Sequence, residues 1–243
     1  MQLDDDILGF LRGEQFSSGC CLRLSGDFKE RSRLTYMQRV VKGASVLHIG
    51  CVDHTPEKVR RKLARGVWLH KLLMDSAELC AGVDINESGV KYLSEDMGLP
   101  HIHCGDILRD TIPGVNDRQW DFVVLGELLE HTDNPVDFLA TLRSRPGLER
   151  AACIITVPNA FYYKNFKKAL KQYEDINSDH RYWFTPYTLA KVLTRAGYAV
   201  DDLQLTQDRA FKFFPPIPWF ILSRYPLLRS KVVALASPIP GRE

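Results

Sequence analysis

The chain has 243 residues, of which 45% are hydrophobic and 26% charged, and its net charge is +2. It is long enough to bury a sizeable core as one large domain, and its balance is that of a globular protein. That excludes a highly charged disordered chain, and the mild charge does not by itself imply a nucleic-acid partner.

The opening MQLDDD is acidic and has no apolar core, so no signal peptide is expected, and no run reaches the length of a membrane-spanning helix. Residues 1–27 are expected as a leader, with Ile7, Phe10 and Leu11 on one face of a short helix. Residues 28–243 then form the main domain. A helix is expected over 28–42, with Leu34, Met37, Val40 and Val41 inward and Lys29, Arg31, Arg33 and Arg39 outward. Gly43 ends it.

Val46-Leu47-His48-Ile49 is a short apolar run that stops at Gly50, as a buried parallel strand does. Thr55–Glu78 is longer than one crossover helix needs and carries a basic run, Lys58, Arg60, Arg61, Lys62 and Arg65. The second strand, Cys80–Val83, ends on Asp84, and a helix is expected over Glu87–Met97. Further strands are expected at Ile102–Cys104, Phe122–Leu125 and Cys153–Val157, with a helix at 136–143 opened by Asn134-Pro135. Past Asn159 the chain turns aromatic and basic. Thr185-Pro186 then caps a helix through Ala196, and strand-like runs follow at Val200–Leu205 and Lys231–Ala236. Between them, residues 211–228 form an insertion rich in proline and aromatic residues.

This alternation predicts a doubly wound, mostly parallel α/β sheet, with ligands beyond the carboxyl ends of its strands. His48–His54, Asp84, Gly105-Asp106, Gly126–His131 and Pro158-Asn159 are thereby expected around one cleft. A strand, a glycine turn, a helix and a second strand tipped by a carboxylate make half of a nucleoside-binding site. The absence of GxGxxG argues against a nicotinamide-dependent dehydrogenase.

The cysteines show no metal-ligand spacing, so a reduced, cytoplasmic compartment with no structural zinc or other metal is expected. Cys80, Cys104 and Cys153 are expected as small buried hydrophobes, and Cys51 as a filler inside the first loop.

The motifs VLHIGCVDH, GVDIN, GDI, DFVVLGELLEHTDNP, ITVPNAF and HRYWFTPYTLAKVLTRAGY together resemble the class I S-adenosylmethionine-dependent methyltransferases. The resemblance runs from about Ser45 to Gly197, and it is nearest to bacterial members associated with glycan and polysaccharide assembly, where a Trp-Leu-His element like Trp68-Leu69-His70 precedes the second strand. It implies a seven-stranded Rossmann-like sheet closed by an antiparallel C-terminal strand, with S-adenosylmethionine as cofactor. It also implies cofactor contacts from His48, Gly50, Cys51, Asp84, Ile85, Asp106, Ile107, Gly126 and Glu127. Asp84 would hold the ribose hydroxyls, Asp106 the adenine edge with Ile107 against the ring, and Glu127 would open the segment nearest the reacting methyl group. The chain departs from the family in having His48 where an acid is usual, and Val52 and His54 where loop glycines are usual.

Each of these positions also has a plain structural reading. Asp84 would serve as a helix N-cap, Asp106 as a turn residue, and His131 as a brace for the Asn134-Pro135 turn with Glu130 starting the helix. Candidate catalytic residues are Glu127, His131 and His180, the last as a base near neutrality. The expected acceptor is a carbohydrate or lipid-linked glycan, with a small natural product or RNA as alternatives and a non-catalytic binding module as a rival. Residues 211–228, with Arg224 and Arg229 nearby, suit either a packed cap or a peripheral membrane contact.

Overall fold

The computed structural model describes residues 5–24, 28–207 and 219–241. The strands are β1 (Ser45–Ile49), β2 (Leu79–Asp84), β3 (Ile102–Cys104), β4 (Phe122–Gly126), β5 (Ala152–Pro158), β6 (Tyr198–Thr206) and β7 (Lys231–Pro238). They form one seven-stranded sheet in the order β3-β2-β1-β4-β5-β7-β6. β1 pairs in parallel with both β2 and β4, and β6 pairs antiparallel with β7. This is the doubly wound sheet with an antiparallel C-terminal strand that the alternation and the motifs predict.

The helices are α1 (Asp5–Arg12), α2 (Arg33–Val40), α3 (Pro56–Ala64), α4 (Leu69–Met74), α5 (Glu87–Lys91), α6 (Pro135–Arg143), α7 (Tyr163–Ala169), α8 (Pro186–Arg195) and α9 (Trp219–Arg224). The long connection after β1 therefore holds two helices, α3 and α4. The helix expected over 87–97 is α5 followed by a π turn over Tyr92–Asp96. Among the described residues no helix is long and apolar enough to cross a membrane.

The chain divides into two compact units. The first comprises residues up to Arg33, Glu127–Asp137 and Ile155 onward. The second comprises Leu34–Gly126 and Phe138–Ile154. In the second unit Val46, Leu47, Val123, Val124 and Leu125 are buried, as apolar runs covered on both faces must be. The order reverses between β1 and β4, the switch point at which such sheets bind ligands. In the first unit α8 has a capping box: Thr185 accepts from the Thr188 amide, and the Thr188 hydroxyl accepts from that of Thr185. The leader supplies α1, whose Leu11 is buried, and Lys191 and Arg195 of α8 donate to the carbonyls of Phe10 and Arg12.

Several expectations are corrected. The helix expected over 28–42 is confined to α2, where Tyr36 and Met37 are the buried residues and Leu34 and Val40 are only half-buried. Arg33 is not outward: its side chain is 12% exposed and ion-paired. Cys104 is exposed, because β3 lies at the sheet edge, whereas Cys51, Cys80 and Cys153 are buried. Arg229 is no surface cation. It is buried, and its guanidinium donates to the carbonyls of Leu222, Phe28, Glu30 and Leu205 at 2.7–3.2 Å. Leu222 is buried too, so α9 is packed against the first unit; the rest of the insertion, 211–218, lies outside the described residues.

Candidate functional site

The candidate residues fall into two groups, one in each unit. The first group gathers at the carboxyl ends of β1, β2 and β3. After β1 the chain turns at Gly50, whose φ of 75° lies in the left-handed region open to glycine, and its amide donates to the Val83 carbonyl. Two residues on, the Val52 amide donates to Asp84 Oδ2 at 2.8 Å, while the Asn86 amide donates to Oδ1 at 2.9 Å. Asp84 is not the cap of the following helix: that role falls to Asn86, whose Oδ1 accepts from the Gly89 amide. Each half-buried Asp84 oxygen keeps a second lone pair beyond its backbone bond.

Beside Asp84, Ile85 is 78% exposed, whereas Ile107 is buried. An exposed apolar side chain next to a half-exposed carboxylate fits the flat face and diol of a nucleoside. Asp106 closes a turn by accepting from the Leu108 amide at 2.9 Å, and its other oxygen lies 3.5 Å from Arg109 Nε. The turn reading of Asp106 is thus present in the structure, with the carboxylate still half-exposed.

His48 and Cys51 lie buried beneath the loop. Burial, with Asp84 adding to it, pushes the Cys51 thiol far up, so it stays protonated and serves as a filler. His48 Nδ1 meets His70 Nδ1 at 3.2 Å in a near-parallel stack, which requires one ring to donate and the other to accept. A histidine partner from α4 therefore accounts for the histidine at the position where an acid is usual. Gly82 is required beneath this pair, since a Cβ there would lie 2.8 Å from Cys51 Sγ and 2.9 Å from His70 Cε1. At the end of β4, a Cβ on Gly126 would come within 2.6 Å of Leu69 Cδ2.

Burial lowers the His70 pKa from 6.5 to about 4. The folded form therefore refuses a proton that the unfolded chain takes up below pH 6.5, and stability falls as pH drops from there toward 4. Between pH 7.5 and 4.5, roughly 3 kcal/mol of the wild-type loss is expected from this residue. Urea unfolding at the two pH values checks it: the extra loss should vanish in His70→Gln.

The second group lies in the first unit. Glu127 follows β4 with a φ of 58°, a strained conformation for a side-chain-bearing residue. Its carboxylate is held by Lys231 on one oxygen and by Arg33, at 3.1 Å, on the other. Arg33 also donates to the Thr156 hydroxyl. Neither cation is marked in the sequence as a partner of Glu127, because both lie roughly a hundred residues away.

Glu130 does not start the following helix but sits in a 3-10 turn, Leu129–His131. It is fully buried, and burial pushes its pKa up to about 7. His131 does not brace the Asn134-Pro135 turn. Its Nδ1 pairs with Asp179 Oδ2 at 2.7 Å, and its ring meets that of His180 edge-on, with centroids 4.6 Å apart. His180 Nε2 lies 4.0 Å from Glu130 Oε1, and burial lowers its pKa, with His131 pushing the same way. Arg181 ties the two segments together: its amide donates to the Glu130 carbonyl, Nη1 to the His131 carbonyl and Nε to Asp133. Of Pro158-Asn159, expected at the cleft, the asparagine has a structural role. Asn159 is buried, and its Nδ2 donates to the carbonyls of Leu227 and Arg229.

A family model described as a methyltransferase domain matches residues 31–203. No curated protein matches the chain. Among solved structures, it is similar to a SAM dependent methyltransferase from Archaeoglobus fulgidus, with 17% identity and a TM-score of 0.51 over 84% of this chain and 91% of that one. Magnesium protoporphyrin IX methyltransferase from Synechocystis PCC 6803, solved with bound SAH, is 16% identical with a TM-score of 0.51 over 96% and 97% of the two chains. The small RNA methyltransferase HEN1 is 16% identical with a TM-score of 0.57; the match covers 93% of this chain but 28% of that one. At these identities the likeness is one of fold.

Proposed function

The chain belongs to the methyltransferase-domain family, and from that premise we propose that it O-methylates a carbohydrate hydroxyl, in a bacterial glycan or glycoconjugate met in the cytoplasm. The methyl donor is S-adenosylmethionine, whose sulfonium supplies an already electrophilic methyl group. The observation that carries this reading is Asp84, a carboxylate at the tip of β2 that orders the first loop through Val52 and keeps acceptor capacity on both oxygens.

In this reading Asp84 binds the ribose diol, Ile85 flanks the adenine and Asp106 takes its polar edge. Gly50 and Gly126 bring backbone close to the ligand, and Ile107, His48 and Cys51 shape the site from beneath. Arg33 and Lys231 hold Glu127 in one orientation. His131 and His180 serve the acceptor hydroxyl, whose proton must leave as the methyl group arrives.

Support for a carbohydrate acceptor comes from the segment between β5 and α8, where Phe161, Phe166, Tyr173 and Tyr182 expose their rings. Flat apolar faces with polar rims suit sugar rings. The basic run on α3 gives less support to RNA, because Arg60 is paired with Glu57 and stacked over Tyr92, and Lys62 is paired with Asp53.

Incubation with methyl-labelled donor and a panel of nucleotide sugars, oligosaccharides, small phenols and RNA tests the reading. Label is expected in carbohydrate as a base-stable ether. Label confined to RNA or to phenols would overturn the carbohydrate assignment and leave the methyltransferase intact. A wild-type protein that binds no donor would leave the non-catalytic module.

A further inference from the structure

Glu130 is fully buried, yet neither carboxylate oxygen has a hydrogen-bond partner among the described residues. Burying a carboxylate this way is costly unless it is neutralised or a cation sits beside it. The neighbouring His180 repeats the pattern, since its Nδ1 is also buried without a hydrogen-bond partner among the described residues. One ligand atom from each of Glu130, His131 and His180 lies within 4.8 Å of those from the other two. Two imidazoles and a carboxylate gathered this closely are a donor set for a divalent first-row metal, and the nitrogens disfavour calcium or magnesium.

The surroundings are those of a built site. Asp179 engages His131 Nδ1 at 2.7 Å, the arrangement by which a carboxylate fixes a histidine tautomer and presents the opposite ring nitrogen to an ion. Arg181 anchors the backbone on both sides of the cluster, through the carbonyls of Glu130 and His131. The His131 and His180 side chains are 22% and 12% exposed, so the cluster is reachable from solvent while Glu130 stays dry.

We propose that Glu130, His131 and His180 bind one divalent first-row transition-metal ion, with Asp179 as the positioning residue for His131. Three protein ligands leave coordination positions open, and these fit two neighbouring oxygens of the acceptor, the vicinal diol of a sugar. The acceptor half of this inference rests on the methyltransferase reading; the metal site does not. The ligands come from two segments about fifty residues apart, which is why no spacing motif announces them and why no metal is expected from the sequence.

The test uses the full chain, stripped with a chelator and titrated with Co²⁺ in the absence of methyl donor, followed by visible absorption and calorimetry. Binding of one ion per chain is expected, with d–d bands distinct from those of aqueous cobalt. Asp179→Asn should weaken binding by about 10–100-fold. Glu130→Gln and His180→Gln should abolish it while leaving thermal unfolding cooperative and affinity for S-adenosylhomocysteine at the wild-type value. If wild type binds Co²⁺ no more tightly than the Glu130→Gln/His180→Gln double variant, the cluster is a neutral carboxyl beside two histidines and the proposal fails. Cobalt binding retained in a protein that binds no donor would instead sink the methyltransferase reading alone.

Discussion

Asp84→Ala is expected to weaken binding of S-adenosylhomocysteine by about 10²–10⁴-fold in calorimetry. The two ribose hydroxyls would donate to this charged acceptor, each bond contributing roughly 1.5–3 kcal/mol. The substitution also releases the Val52 and Asn86 amides, loosening the first loop. Asp84→Asn separates the two effects, because a carboxamide still accepts on one oxygen but meets the second backbone amide with its own N–H groups. A thermal melt on each variant guards against simple unfolding. Unchanged affinity in a folded Asp84→Ala protein would remove this carboxylate from the ribose and, with it, the main physical support for the donor site.

The second large effect concerns stability. Arg229→Met should lower it by about 3–5 kcal/mol, because buried carbonyls that lose their partner cost roughly 1–3 kcal/mol each. Four carbonyls depend on this guanidinium: Phe28 and Glu30 before α2, Leu205 in β6 and Leu222 in α9. Relief of the buried charge offsets part of the cost, since burial, with Arg31 pushing the same way, lowers the Arg229 pKa to about 10. For a chain of this length the loss corresponds to a drop in Tm of about 10 °C or more. Arg229→Lys should fall between, as an ammonium cannot span the planar fork of partners. A Met variant melting with the wild type would show that these bonds exchange freely with water.

Regular elements were legible wherever one residue pattern served one local purpose. The apolar run before Gly50, the acid at the tip of β2, and Thr185-Pro186 at the head of α8 are all found where their spacing puts them. Helix ends were less legible. The segment expected as one helix over 87–97 passes into a π turn, and the one expected over 28–42 begins only at Arg33. In both segments a buried apolar residue, Leu93 or Phe28, lies in the part that is not α-helix.

The candidate site divides the same way. The position of Asp84 was readable because it closes the apolar run of β2, and the helix cap that its sequence also suggested proved to be Asn86. Glu130 was not readable. Its sequence neighbours suggest a helix start, and only the return of the chain at Asp179–Arg181 encloses it.

By itself, then, the order of apolar runs, glycines and strand-tip acids determined the sheet and the place of Asp84 at the tip of β2, because each depends on residues close together in the chain. The tertiary structure alone decided that His48 stacks on His70, that Arg33 and Lys231 share Glu127, and that Arg229 binds backbone carbonyls in the interior. Such partners are joined by the closure of long loops, and a backbone carbonyl leaves no mark in the residue pattern.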